Sequence, residues 1–387
     1  MDLFGNKGVS LDKQSFTWKE MVGKPISKLD DEAFTRVRII LMNGLELDAL
    51  RLSHVGARLN GDLRRPLAEI RRVEQHQATT VNWLLSADHS PLETTIAYEQ
   101  VAVEVTAEVA QREPDAYLAQ VYRFGLLEDF DHLYRYSALL DRLEGKDSNN
   151  ILQGHTDIVP GRPTVDEHRA PADDVRRPFD SNAALASRLH ATLITAAEYQ
   201  THDYYMTIGP SFADPIARQL YAEIASIEEQ HVTQYGSLLN PRLSFLELML
   251  LHEATEVYGY HSCARSESNP RVRAIWERFC DYELGHLHLV CDLIKKHERR
   301  DPAEILNGAL PAPLEFKSQR DFVRDVLEAE VDLRANGFDF VPRERESDAS
   351  RAYRQRVNAD GSPSTQVATA YHWTSGTELN RSIRRAA

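Results

Sequence analysis

Three histidines of this chain have a carboxylate three residues earlier: His132 after Asp129, His231 after Glu228, and His286 after Glu283. On a helix, positions three apart share one face, so each pair can reach the same cation. Thirty positions before those three carboxylates stand three more: Glu99, Glu198 and Glu253. With 59 acidic residues in 387, three hits in three trials is a coincidence well below about one per cent. Burying nine such residues without cations would be prohibitive. Carboxylate oxygens with one imidazole per ion suit Fe(II), Fe(III) or Mn(II) better than zinc or copper. Two ions bridged by carboxylates could exchange two electrons at once with O2 or peroxide.

The elements that must position these residues are helices. Apolar residues recur three or four apart from about residue 32, and Gly and Pro withdraw to a few breakers. The pattern predicts an all-α chain with eight long helices near 33–56, 62–86, 93–111, 116–142, 184–206, 215–238, 243–264 and 271–297. The midpoints of the three carboxylate spacings are Pro114, Ala213 and Ser268, and each falls in a predicted turn. In an antiparallel hairpin both helices rise ~1.5 Å per residue, so residues equidistant from the turn lie at one level. Each hairpin would therefore set one carboxylate opposite one carboxylate-x-x-His pair.

A fourth copy is degenerate. Val73-Glu74-Gln75-His76 aligns with Glu228-Glu229-Gln230-His231, and Asn43 stands thirty before Val73. This predicts an internal repeat of helical hairpins (33–86, 93–142, 184–238 and 243–297) whose first member has lost both carboxylates. Residues 1–31 read as an N-terminal arm. The segment 143–183, with Pro160, Pro163, Pro171 and Pro178, reads as a long crossover without helical period. Residues 298–342 read as a linker with a C-terminal helix near 317–335. Residues 343–387 read as a polar tail, either disordered or wrapped on a partner subunit as in a homodimer.

The pattern resembles the ferritin-like superfamily of dimetal-carboxylate proteins, the relatives of ferritin, rubrerythrin and manganese catalase. In that group one Glu from each of two helices joins Glu-x-x-His from each of two others. The resemblance covers roughly 93–297, with a degenerate extension back to 32, giving a helical domain over 32–297. It implies a ferritin-like bundle holding two iron ions, with manganese as the alternative. Two departures stand out. Asp129 replaces the usual Glu, with Glu128 beside it able to reach in, and three intact hairpins exist where one site needs two. The short connectors at 87–92 and 239–242 set neighbouring helices antiparallel. Hairpin 99–132 can then pair with 198–231 or with 253–286; the expectation is 198–231, the arrangement sequential in the chain, leaving the first hairpin to face 253–286 around a half-complete site.

The implied function is a dinuclear iron or manganese oxidoreductase that oxidises an unknown small organic molecule with O2 or reduces peroxide. The alternative is a metal-binding, ferroxidase-like protein handling iron itself. The formal charge of −14 repels phosphate backbones, so nucleic acid is excluded as an expected partner. Three cysteines without a Cys-x-x-Cys exclude a disulfide framework and a rubredoxin-type centre. Neither a signal-type apolar run nor a membrane-length segment is apparent, which sets a cytoplasmic, membrane-free expectation. Glu104, Glu108, Glu113 and Glu223 read as solvated helix faces, and Glu256 as a ligand or an exposed pair. His190, His252, His261 and His297 read as structural or surface positions, and Tyr204, Tyr205, Tyr258 and Tyr260 as core and rim.

Overall fold

A computed structural model describes residues 1–180 and 182–373. The eight expected long helices are present: α1 Ala33–Leu59, α2 Arg64–Asn82, α3 Pro91–Arg112, α4 Ala116–Glu144, α5 Leu185–Ile208, α6 Pro215–Gly236, α7 Phe245–Ser266 and α8 Pro270–His297. Their starts are written in the sequence. Ser90 and Ser244 each form a reciprocal capping box with the Glu three residues on, Glu93 and Glu247. Asp115, Asp214 and Asn269 accept from the first free backbone N–H groups of α4, α6 and α8. Pro91, Pro215 and Pro270 occupy first-turn positions, where no N–H is needed. Gly145 ends α4 in the left-handed conformation, φ 61°.

The chain forms two compact units. The first contains Met1–Ala87, Pro178–Gln200 and Leu239–Phe316, and the second contains Asp88–Arg177, Thr201–Leu238 and the described chain from Lys317 on. In the first unit the α1–α2 and α7–α8 hairpins pack together, with α7 lying along α1. In the second, the α3–α4 hairpin packs with α6 and the final turns of α5. Both units owe their cohesion to buried aliphatic and aromatic residues, Leu41, Leu250 and Trp276 in the first and Leu126, Leu139 and Ile224 in the second.

Three segments depart from expectation. The crossover is not a bare connector. It holds short helical turns at Asn149–Leu152, Thr164–Asp166 and Pro171–Asp174, and it lies so close to α4 that a Cβ on Gly161 would stand 2.3 Å from the Leu127 carbonyl oxygen. The C-terminal helix is shorter than expected, Arg320–Glu330 (α9). The polar tail is structured through residue 373. Ahead of it, where the expected C-terminal helix gives way, strands β1 Leu333–Asn336 and β2 Asp339–Pro342 form an antiparallel hairpin, the only sheet among the described residues. Helices Asp348–Val357 (α10) and Pro363–Ala368 (α11) follow. Buried acids hold this tail within its own unit. The Asp173 carboxylate accepts from the Ser347 and Ser350 hydroxyls, and Glu223 accepts from Ser362 Oγ at 2.8 Å and Ser364 N at 2.7 Å. The part of the tail from 374 to 387 lies outside the described residues. No helix of the described chain is long and apolar enough to cross a membrane.

Candidate metal centres

In the second unit the α3–α4 hairpin and α6 bring five of the predicted residues to one buried point. Glu99 comes from α3, Asp129 and His132 from α4, and Glu228 and His231 from α6, each no more than 1% exposed. Possible ligand atoms of Glu99, His132 and Glu228 lie within 4.8 Å of one another, as do those of Asp129, Glu228 and His231. Glu228 stands between the two imidazoles. Its Oε1 is 3.1 Å from His132 Nδ1 and its Oε2 is 3.4 Å from His231 Nδ1. Asp129 Oδ1 is 3.2 Å from the same His231 nitrogen. Tyr205, at the end of α5, donates its hydroxyl to Glu99 Oε1 at 2.5 Å. Glu198 lies two turns before Tyr205 on the unbroken α5 helix, so it leaves the helix from the face that carries Tyr205.

The far nitrogens of both imidazoles are held by carboxylates. His132 Nε2 meets Glu167 Oε2 at 2.8 Å, and His231 Nε2 meets Glu128 Oε2 at 2.8 Å. Glu128 thus does not reach in beside Asp129. It backs His231 and is held by two guanidinium groups from the crossover, Arg169 at 2.5 Å and Arg162 at 3.1 Å. Burial pushes the Glu128 carboxyl up, but Arg169, His231 and Arg162 outweigh it and hold the group well below the usual range. Burial likewise raises Glu228, and hydrogen bonds from His132 and His231 reverse that and bring it to about 2. Glu167 moves the other way. Burial carries it up to about 8 against the pull of His132. A backing carboxylate fixes which imidazole nitrogen carries the proton, leaving the other lone pair pointing inward.

In the first unit the remaining predicted residues also converge, in richer company. Glu253 of α7 and Glu283 and His286 of α8 gather with Glu74 of α2, with ligand atoms within 4.8 Å of one another. A second group, Glu46, Glu74, Glu256 and Glu283, meets the same limit. His286 Nδ1 lies 3.0 Å from Glu74 Oε1, 3.0 Å from Glu283 Oε2 and 3.8 Å from Glu253 Oε2. Its Nε2 faces the Gln14 amide oxygen at 2.8 Å. Gln14 belongs to the N-terminal arm, which straps α8 where Val9 N donates to Asp281 O at 2.8 Å. Gly285 permits that approach, since a Cβ there would stand 1.9 Å from the Val9 carbonyl oxygen.

The first hairpin has therefore not lost its carboxylates. The repeat runs out of register here, by one residue on α2 and by three on α1: Glu74-x-x-Gln77, not Val73-x-x-His76, occupies the position of Glu283-x-x-His286. Its opposing carboxylate is Glu46, not Asn43. His76 is half-buried and packs on the Phe16 and Trp18 rings, while Asn43 donates to Gln200 Oε1 at 2.5 Å. Glu256 is buried, with Oε2 at 3.3 Å from His252 Nδ1. Burial, and then the neighbouring Glu74 charge, push Glu46, Glu253, Glu256 and Glu283 above the usual carboxylate range. The acids read as solvated faces are also buried: Glu104, Glu108, Glu113 and Glu223 are each less than 9% exposed. Tyr205, Tyr258 and Tyr260 are core, and His190 is fully buried.

Both clusters contain buried carboxylate oxygens without a protein partner: Glu99 Oε2 and Asp129 Oδ2 in the second unit, and Glu46 Oε2, Glu74 Oε2 and Glu256 Oε1 in the first. Leaving such groups unmet is costly, and a divalent cation would meet them. The donor types in both places fit bound metal. Compared with known proteins, the chain matches no family model, no curated protein and no solved structure.

Proposed function

We propose that the second unit is a ferritin-like dinuclear iron centre, with manganese the alternative occupant, and that the protein is an oxidoreductase acting with O2 or peroxide. One observation carries the reading. Glu228 offers its two oxygens to two imidazoles whose outer nitrogens are each fixed by a further carboxylate. A carboxylate so placed could serve two ions at once, each with one of the two histidines. Glu99, Asp129, His132, Glu228 and His231 would hold the ions. When bound, the pair of ions supplies two-electron redox chemistry that no side chain here provides.

The residues around the ions have definable tasks. Glu167 and Glu128 hold the outer imidazole nitrogens, so that Nδ1 of His132 and of His231 faces the central carboxylates, where the ions would lie. Arg162 and Arg169 neutralise Glu128 and prevent it from competing for the ions. Tyr205 steadies Glu99 through its hydroxyl. A cleft of about 190 Å³ is lined by Tyr205, Met206, Pro210, Arg218 and Tyr221. Its size lies below the usual range of organic-ligand pockets, ~300–1,000 Å³. That favours peroxide, O2 or iron itself over a bulky organic substrate, and gives the ferroxidase-like reading its specific support.

The test uses the full chain freed of metal by chelation and reloaded with Fe(II). Elemental analysis should find two ions that depend on Glu228, and O2 should be consumed on Fe(II) addition. Continued consumption with reductant after iron is saturated marks an oxidoreductase. Consumption that stops when the added iron is oxidised marks iron handling. Binding of zinc alone, persisting in iron-rich medium, would overturn both.

A further inference from the structure

The two groups of ligand atoms in the first unit overlap. Glu74, Glu253, Glu283 and His286 bound one position, Glu46, Glu74, Glu256 and Glu283 bound another, and Glu74 and Glu283 belong to both. Only the first position includes a nitrogen. At the place where a second imidazole would complete the pattern stands Gln77. Its amide nitrogen donates to Glu46 Oε1 at 3.2 Å and to Glu283 Oε1, and its amide oxygen is buried without a partner. Around the second position, Glu46 Oε2, Glu74 Oε2 and Glu256 Oε1 are likewise buried and unpartnered. None of these residues is more than 1% exposed. Carboxylate and amide oxygens suit hard cations such as Mg2+, Ca2+ and Mn2+, whereas imidazole suits iron and the later metals.

We infer that the first unit holds two chemically unequal cations, a hard, oxygen-preferring ion at the Glu46–Glu256 position and an iron-class ion at the His286 position. This rests on the metal reading proposed above and deepens it. Glu46 is held in place by the Tyr260 hydroxyl and the Gln77 amide, and Glu256 by His252, whose other nitrogen meets Asp48 Oδ2 at 3.2 Å. The oxygen-only position is thus built rather than incidental: each terminal carboxylate uses one oxygen to be positioned and keeps the other free. In the second unit both positions include an imidazole, so no such inequality is expected there.

The experiment loads the chelated full-length protein anaerobically with Mn2+ in excess over Fe2+ and collects anomalous diffraction on either side of each metal's absorption edge. Manganese is expected at the Glu46–Glu256 position and iron at the His286 position. Glu256→Gln should lose the manganese and keep the iron. Gln77→His should shift the occupant of the oxygen-only position from manganese to iron, with circular dichroism confirming that each variant is folded. Equal manganese and iron at both positions, or the same distribution in Gln77→His as in the parent, would overturn the inference. An empty first unit beside a loaded second unit would also overturn it and leave the proposed function standing. Failure of both units to bind metal would instead remove the reading on which it rests.

Discussion

The two units each gather buried carboxylates and imidazole from packed helices and balance them with different electrostatics. The second unit sets three carboxylates against two imidazoles at the centre and compensates its outermost acid with Arg162 and Arg169. The first crowds five carboxylates around one imidazole, and four of them rise above the usual range through burial and mutual repulsion. One replacement accounts for much of this: glutamine at 77 where the other hairpins have histidine. A helical pattern fixes where side chains meet, while the identity of one residue in each set decides what the meeting place can hold.

The largest expected effect tests whether the two places are independent. Glu228→Ala should remove the metal of the second unit and abolish O2 consumption, while Glu283→Ala should remove the metal of the first and leave O2 consumption in place. Elemental analysis of both variants and of the double variant reads this directly. Loss of O2 consumption in Glu283→Ala would mean that the units act as one.

Next comes the guanidinium support that only the second unit has. Arg169→Met leaves Glu128 with Arg162 and His231 and exposes Asp174 as an unpaired buried acid. Breaking a buried pair typically costs about 3–5 kcal/mol, and the remaining partners place the expectation near 3 kcal/mol. Denaturant unfolding of the metal-free protein measures it. A change under about 0.5 kcal/mol would show that Arg162 alone suffices.

Much of this was legible from spacing. The hairpins announce themselves because a thirty-residue spacing centred on a turn puts equal heights opposite each other, and caps such as Ser90-x-x-Glu93 mark where helices begin. The misreading of the first hairpin has a physical cause. A search anchored on histidine selects His76, whereas packing selects Glu74 and Gln77, which share the inward face. Nothing in the sequence pointed to Glu167 or Gln14, since both sit in segments without period, where three-dimensional contact alone decides proximity. The β1–β2 hairpin did carry a signal, Asn336-Gly337 beside alternating Phe338 and Phe340. A polar composition hid it. Glu104 and Glu223 were misjudged for a related reason: charge predicts exposure only when no donor waits in the fold.

Glu104 offers a further test, away from either metal cluster. Its carboxylate accepts from Thr156 Oγ1 at 2.6 Å and Gln319 N at 2.7 Å, yet burial outweighs these bonds and raises it to about 7. The unfolded chain releases this proton near ~4.3. Between those values the folded state holds more protons, so this group's contribution to stability falls as pH rises. Glu104→Gln removes that dependence. Its stability relative to the parent should climb by about 3 kcal/mol from pH 4 to 8, read as a difference that cancels metal-linked titration common to both proteins. A flat difference would show that the hydrogen bonds compensate burial fully.

The smallest effect concerns the outer partners of the imidazoles, an amide in one unit and carboxylates in the other. Gln14 is oriented by its own amide nitrogen, which donates to Val9 O at 2.8 Å and Tyr282 O at 3.0 Å. Its oxygen must then face His286 Nε2, which fixes the proton there and turns Nδ1 toward Glu74 and Glu283. Removing an outer partner usually weakens metal binding 10–100-fold. Gln14 is half-buried, and water can take its place, so Gln14→Ala should weaken iron binding in the first unit by about tenfold. Glu167→Gln keeps a hydrogen bond to His132 but removes the carboxyl whose charge, present above about pH 8, makes the imidazole a better donor, so the comparison is made above that pH. It should weaken the second unit by at least as much. Competition against a chelator, with each variant built on the background that empties the other unit, measures both constants. Equal losses would mean that orientation is all these partners supply. A larger loss in Glu167→Gln would assign the difference to charge, and no loss in Gln14→Ala would show that His286 is held by its own helix and needs no strap.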